Sequence, residues 1–492
     1  MHFDPRIARR RLVASLLVLG MPLFVVASAQ AATPIQDEVD LPHDIAAGKA
    51  LLNEGNALAD KGDTAEAQNR YKLAFEQLLP SLRQLPFRRE VKGDMTDRSA
   101  LGSKIIEDID REMTPAEFRA YESGLKALGF LDPDVDLKQL LGEVYGQEIG
   151  AFYDPRTDTM HLIRESEKGG RKPTFLETLM GKKAGFDKDE SQTVIAHEMT
   201  HALADQHFDL ETMLKSVKDD TDRELATVAL IEGEATLAMT VAQSKDWEGR
   251  SVRDLPAEQM GQMVAFLGPL MPSIGGSAAL KKAPEVIKES MLFPYLQGLV
   301  FNLTLTNEKG WKGVDSAYRK PPLSTEQVLH PEKYAKALDT PRDFTFKDLP
   351  APEGWTELGQ DVVGELQASV LLRPFDGRTA AAGWDGDRFA VFAHGDEARA
   401  PLAFVWRSVW DTEADAIEFA TAYASFQSRK LGPSTPKLTA PLPDLLGRSG
   451  PDGARFLVER RGSDVVIVEG FGPEPTSRLV EAAFAASCFD KK

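Results

Sequence analysis

The chain reads as an α+β protein, mainly helical, and three observations carry that reading. Apolar residues recur at helical spacing through most of 44–145 and 193–307. A short strand, turn and strand stand between those blocks, and β-rich texture sets in after Pro341. At 492 residues there is room for two or three domains with sizeable cores.

The N-terminus is set aside before any fold is considered. Arg9, Arg10 and Arg11 precede an apolar run from Leu12 to Val26, and Ala29-Gln30-Ala31 offers a small-x-small cleavage site, the pattern of a signal peptide over residues 1–31. That run is short for a membrane span, and the paired arginines fit a generic basic leader better than a twin-arginine signal. The expectation is a periplasmic or secreted protein cut near Ala31, without stable membrane insertion; an uncleaved anchor is the alternative. Cys488 is the only cysteine, which excludes an intrachain disulfide, a lipid-bearing cysteine near Ala31 and a cysteine-rich zinc site. The formal charge of −18 becomes −21 once residues 1–31, with their net +3, are removed. Nucleic acid and anionic membrane are poor partners for such a surface.

Residues 32–142 are expected to form a helical N-terminal region. Ala47, Leu51 and Leu58, then Ala67, Tyr71 and Ala74 beyond the Gly62-Asp63 break, predict one helical hairpin of tetratricopeptide type, which needs a neighbour to cover its faces. Thr114-Pro115-Ala116-Glu117 is a helix start. Ile149–Tyr153 and Thr159–Ile163 predict paired strands, with His161 alternating between Met160 and Leu162 as a structural strand residue. This hairpin is either an ordinary piece of sheet or an edge on which an extended chain pairs. Arg164 to Gln192, charged and containing Gly169-Gly170 and Pro173, reads as a surface loop or lid.

The chemistry concentrates in Thr193–Gln206, which contains His197-Glu198-Met199-Thr200-His201. Residues four apart on a helix share a face, so both imidazoles can bind one ion, and zinc suits those nitrogens. Glu198 sits ~100° round the helix, placed to serve a water as general base. A chain of this length shows the pattern by chance roughly once in a hundred. Val194, Ile195, Met199, Ala202 and Leu203 make the segment apolar, and two imidazoles beside a carboxylate are costly to bury there without a cation.

A hydrolytic zinc site needs a third protein ligand. His207 completes His197-x-x-x-His201-x-x-Ala204-x-x-His207, but Ala204 stands where a sharp exit from the helix favours glycine. If the helix continues, His207 points ~240° away from His201. Glu232 and Glu234 lie at the centre of an otherwise apolar helix, Asp222–Thr240, where carboxylates require a cation or donors. Gly233 between them makes sense if another backbone approaches closely.

His197–His201 followed by Glu232-Gly233-Glu234-Ala235 resembles the gluzincin zinc peptidases. The further blocks Pro321–Pro331 and Gly383–Arg388 resemble a poorly characterised bacterial family of predicted gluzincins. The resemblance implies a zincin-like metallopeptidase domain over 143–340, with His197, His201 and Glu232 on zinc and Glu198 as catalytic base. One departure is Thr236, where thermolysin-like relatives have the aspartate that orients an imidazole; Glu234 or Asp205 would have to replace it. His330, Tyr295 and Tyr318 are candidates for stabilising the oxyanion, although Ser324-Thr325-Glu326-Gln327 also reads as a helix cap.

Residues 255–307 predict two helices about Met271–Gly276, with Met291–Leu305 a buried helix. Residues 355–492 predict a small α+β domain in which His394 is an exposed turn residue. The expected function is an exported zinc metallopeptidase acting on protein or peptide. The rivals are a non-catalytic periplasmic binding or scaffold protein with a structural zinc, and a cell-wall amide hydrolase.

Overall fold

A computed structural model of the chain describes residues 44–164, 188–245, 247, 255–267, 276–347, 349–395, 399–431, 445–449, 453 and 455–491. The expected signal peptide and residues 165–187 of the expected loop lie outside the described residues.

Helices α1 (Ile45–Ala59) and α2 (Thr64–Arg83) form the predicted hairpin, capped by Asp44 and Asp63, with Gly62 turning at φ +83°. Strand β1 (Lys92–Asp97) comes after it, a polar segment with no apolar alternation to announce it. Helix α3 (Arg98–Glu112), helix α4 (Pro115–Leu128) with its Thr114–Glu117 capping box, and helix α5 (Leu137–Glu148) come next. Strands β2 (Ala151–Asp154) and β3 (Thr159–Arg164) pair antiparallel, and β1 lies parallel on the other side of β3. Among the described residues β2 is therefore a sheet edge.

Helix α6 (Lys188–Phe208) begins inside the stretch read as a loop and runs unbroken through Ala204. After α7 (Leu210–Val217) comes α8 (Thr221–Ser244), apolar and long enough to cross a membrane by composition. Its most apolar window is 89% buried inside the protein, so it serves as a core helix. Among the described residues, three helices stand where two were expected: α9 (Ala257–Leu267), α10 (Ala278–Lys282) and α11 (Glu285–Lys309). Beyond them lie α12 (Trp311–Arg319), α13 (Thr325–Leu329), capped by Ser324, and α14 (Pro331–Ala335). The hairpin's buried stripe, Tyr71, Phe75 and Leu78, shares one core with α6 and α8, through Met199 and Leu230 for example.

The tightest crossing joins α8 to α11. A Cβ on Gly233 would stand 2.1 Å from both C and O of Gly298, and one on Gly298 would stand 2.2 Å from Ala229 O. Asn302 Nδ2, buried beside them, donates to Leu230 O at 3.0 Å and to Gly298 O at 2.9 Å. The two backbones touch because neither glycine carries a side chain.

The rest of the chain builds on β4 (Arg342–Thr345), β5 (Trp355–Asp361), α15 (Gly364–Leu371), α16 (Gly377–Ala381), β6 (Trp384–His394) and β7 (Leu402–Trp410). It ends with α17 (Glu413–Lys430), β8 (Leu445–Ser449), β9 (Arg455–Arg461), β10 (Asp464–Glu469), α18 (Pro473–Ala485) and β11 (Ser487–Asp490). The eight strands form one sheet, ordered β11-β4-β6-β7-β10-β9-β8 with β5 also on β6. Leu479 and Val480 of α18 cover one face, against Phe392 and Val466. The other face packs Phe389 and Trp406 against α17 and also against Tyr121 and Leu125 of α4, so the sheet shares a core with the N-terminal helices.

The blocks Pro321–Pro331 and Gly383–Arg388 meet where α8 adjoins this sheet. Asp222, at the start of α8, accepts from Thr325 N at 3.1 Å and leaves no room for a Cβ on Gly364, whose φ is +74°. Asp387 accepts from Val363 N and Gly364 N, both at 2.8 Å, and from Trp384 Nε1 at 2.7 Å.

Gly233→Ala is expected to lower stability by at least ~2–3 kcal/mol, since the added methyl group has only backbone to displace. Chemical denaturation of the two proteins measures it, and an unchanged midpoint would mean that the helices do not meet there.

Candidate metal centre

Helix α6 places His197 and His201 on one face, one turn apart, and α8 brings Glu232 against them. His197 Nε2 lies 3.0 Å from His201 Nε2 and 3.0 Å from Glu232 Oε2, and His201 Nε2 lies 3.5 Å from that same oxygen. All three side chains are buried. Two donors ~2.0–2.1 Å from a tetrahedral zinc ion are ~3.3–3.4 Å apart, so the triangle has the dimensions of one coordination shell. The donor set fits a cation chemically as well, because two imidazole nitrogens and a carboxylate oxygen are mutual acceptors unless a proton or a metal stands among them. His197 Nδ1 has no hydrogen-bond partner among the described residues, whereas ligating imidazoles usually donate from that side.

Charge within the cluster is set by burial and neighbours. Burial lowers the His197 imidazole, but the Glu232 hydrogen bond and charge outweigh it and leave His197 raised. His201 is lowered by burial, against the pull of Glu232. Burial pushes Glu232 up, yet the two imidazoles hold it down at about 2. Burial pushes Glu198 up to about 7, with the Glu232 charge adding to the rise. Glu198 accepts a hydrogen bond from the backbone of Tyr153, and its Oε2 has no partner among the described residues. The Tyr295 phenol hydrogen-bonds Glu232, and its ring lies 6.0 Å from that of His197 at 22°.

Other candidates are placed elsewhere. His207 leaves the cluster, as the unbroken helix requires, and its Nε2 contacts Pro86 O at 2.7 Å. Glu234 does not orient an imidazole: it accepts from Arg83 Nε and from Tyr318, which removes Tyr318 from the oxyanion candidates too. Asp205 instead accepts from Tyr153 Oη at 3.1 Å and Leu210 N at 3.1 Å. His330 Nε2 pairs with Glu365 Oε1 at 2.9 Å, in a different cavity. Of the three oxyanion candidates only Tyr295 lines the cleft at the cluster. His161 is a strand residue, stacked on Phe152 with ring centroids 4.6 Å apart. His394 packs against Trp355.

The cleft itself is small, about 50 Å³. Tyr145 and Glu148, one turn apart on α5, line it together with Gly150, Ala151, Leu292 and Tyr295. Sequence reading missed Tyr145 and Glu148, although their i, i+3 spacing on an amphipathic helix was visible. Gly150 O accepts from Ile163 N at 3.3 Å, so alternate residues of β2 face β3. Ala151 and Tyr153 accordingly turn their backbone groups to the free edge, beside Glu198.

A second acidic group, Glu326, Asp339 and Asp411, also lies close enough to share an ion. Lys333 Nζ already fills it, at 2.7, 2.9 and 2.8 Å from the three carboxylates.

Comparison with known families matches residues 352–480 to a domain of unknown function, DUF8575. That segment spans β5 to β10, leaving out β4 and β11, and excludes the His197, His201 and Glu232 cluster. Neither a curated protein nor a solved structure matches the chain.

Elemental analysis is expected to find about one zinc per wild-type chain, the stoichiometry of one three-ligand site. Loss of that zinc in His197→Ala, His201→Ala and Glu232→Ala, with retention in His207→Ala and Asp411→Asn, is the expected pattern. Retention in Glu232→Ala would remove Glu232 from the shell.

Proposed function

We propose that the protein is an exported zinc metallopeptidase of zincin-like, gluzincin type, with His197, His201 and Glu232 as the metal ligands and Glu198 as the catalytic base. The observation that carries the reading is the meeting of the three donor atoms within 3.0–3.5 Å, with Glu198 beside them. Bound zinc supplies Lewis acidity, which polarises a carbonyl and makes a water easier to deprotonate.

The chain's own groups do the rest. Glu198 has one oxygen steadied by the Tyr153 backbone and Oε2 left to take a proton from the attacking water. From the same position it can pass that proton on to the leaving amine. Tyr295 keeps its phenolic proton well above the ordinary tyrosine range, chiefly through burial, and so can donate to a developing oxyanion. The free edge of β2 at Ala151 offers backbone groups to an extended peptide.

Glu198→Gln is expected to cut casein or peptide hydrolysis by ~10²–10⁴-fold at unchanged zinc content, and Tyr295→Phe to lower kcat by ~10²-fold with little change in KM. An unaltered rate in Glu198→Gln would leave the zinc a structural role only.

A further inference from the structure

Away from the cluster, two glutamates come together where α13 meets α15. Thr325 Oγ1 accepts from Leu366 N at 3.2 Å, which sets Glu326, the next residue of α13, beside Glu365, the preceding residue of α15. Both are buried, at 1% and 5% exposure. Each has one oxygen with a donor: Lys333 Nζ reaches Glu326 Oε1 at 2.7 Å, and His330 Nε2 reaches Glu365 Oε1 at 2.9 Å. The other oxygen of each, Oε2, is sealed from water and has no donor among the described residues.

Two such oxygens repel when both carboxylates are ionised, and one proton makes the first a donor and the second its acceptor. The surroundings allow Glu326 to be the neutral member. Lys333 also binds Asp339 and Asp411, at 2.9 and 2.8 Å, so it keeps its counter-charge without Glu326. Burial pushes Glu326 up to about 9 against the pull of Lys333, with the charges of Glu365 and Asp339 adding to the rise. Other charged groups nearby are already engaged. Asp222 of α8 accepts from Thr325 N, Glu289 of α11 holds Arg373, and Asp385 lies beyond, toward Asp411 and Asp339.

We propose that Glu326 and Glu365 share one proton, and that this proton is a pH-sensitive fastening between α13 and α15, the helix that joins β5 to β6. Glu326 Oε2 donates to Glu365 Oε2, so a chain of hydrogen bonds runs from Lys333 through both glutamates to His330. Loss of the proton sets two buried carboxylates against each other and loosens the joint. A carboxyl that stays protonated in the fold and ionises when unfolded stabilises the protein fully below the ordinary glutamate range. That contribution declines as pH rises and is gone once pH passes about 9. His330, raised by its Glu365 hydrogen bond and faced also by Glu332 and Lys333, acts in the same direction, so the comparison that isolates Glu326 is with a variant, not with pH alone. The joint needs no metal.

Thermal midpoints of the full chain and of Glu326→Gln, measured between about pH 5 and pH 9, test this. The glutamine amide copies the protonated carboxyl, since it donates to Glu365 and still accepts from Lys333. The variant is expected to match the wild type near pH 5 and to exceed it by a margin that grows to about 5 °C at the alkaline end. The infrared difference between the two proteins at neutral pH is expected to show the carbonyl band of one protonated carboxyl, shifted in heavy water. A variant that is less stable than the wild type at neutral pH, or that fails to fold, would make Glu326 an ionised partner of Lys333 and overturn the proposal. Midpoints that stay parallel at every pH, or a difference spectrum without the carboxyl band, would overturn it too.

Discussion

Three acceptor atoms, two imidazole nitrogens and a carboxylate oxygen, lie within 3.5 Å of one another where water has little access. Without a cation such a group is self-repelling or must take up protons, and burial opposes both. A proton held between His197 and Glu232 relieves the repulsion, and a cation at the centre would relieve it for all three donors. Around the cluster, Ile195, Met199 and Leu203 of α6 and Leu230 and Ile231 of α8 are buried in one apolar core.

Placing Glu232 there takes two further devices. The Gly233–Gly298 crossing lets α11 lie directly on α8, which brings Tyr295 and Leu292 to the cleft. On another side of α8, Glu234 is held by Arg83 of the N-terminal hairpin, which also binds Asp315 at 2.9 Å and lies over Trp311 at 4.5 Å. Residues two apart on a helix point ~200° apart, so one glutamate joins the cluster while the other ties the hairpin to the same helix. The hairpin thus braces the helix that carries Glu232, in keeping with its single-unit length.

Much of this was legible in the residues. His197-Glu198-x-x-His201 in an apolar segment indicated the helix and the shared face of its two imidazoles, and Gly233 indicated a close backbone approach. Ala204 argued that the helix continues and carries His207 away. What could not be read depended on distant partners. Glu232 and Glu234 differ in role because Arg83 and Tyr318 reach only one of them, and both are far off in sequence. Strand β1 is polar and exists because β3 offers it an edge. The packing of α4 on the C-terminal sheet was invisible because an apolar helix face does not name the surface that covers it. Tyr145 and Glu148 were passed over for that reason, as residues of a scaffold helix.

The most direct test is anomalous diffraction at the zinc absorption edge from crystals of the full chain. The account predicts one strong peak roughly 2.0–2.1 Å from His197 Nε2, His201 Nε2 and Glu232 Oε2. A peak elsewhere, at Glu326, Asp339 and Asp411 for instance, or no peak at the three donors in zinc-supplemented crystals, would contradict it.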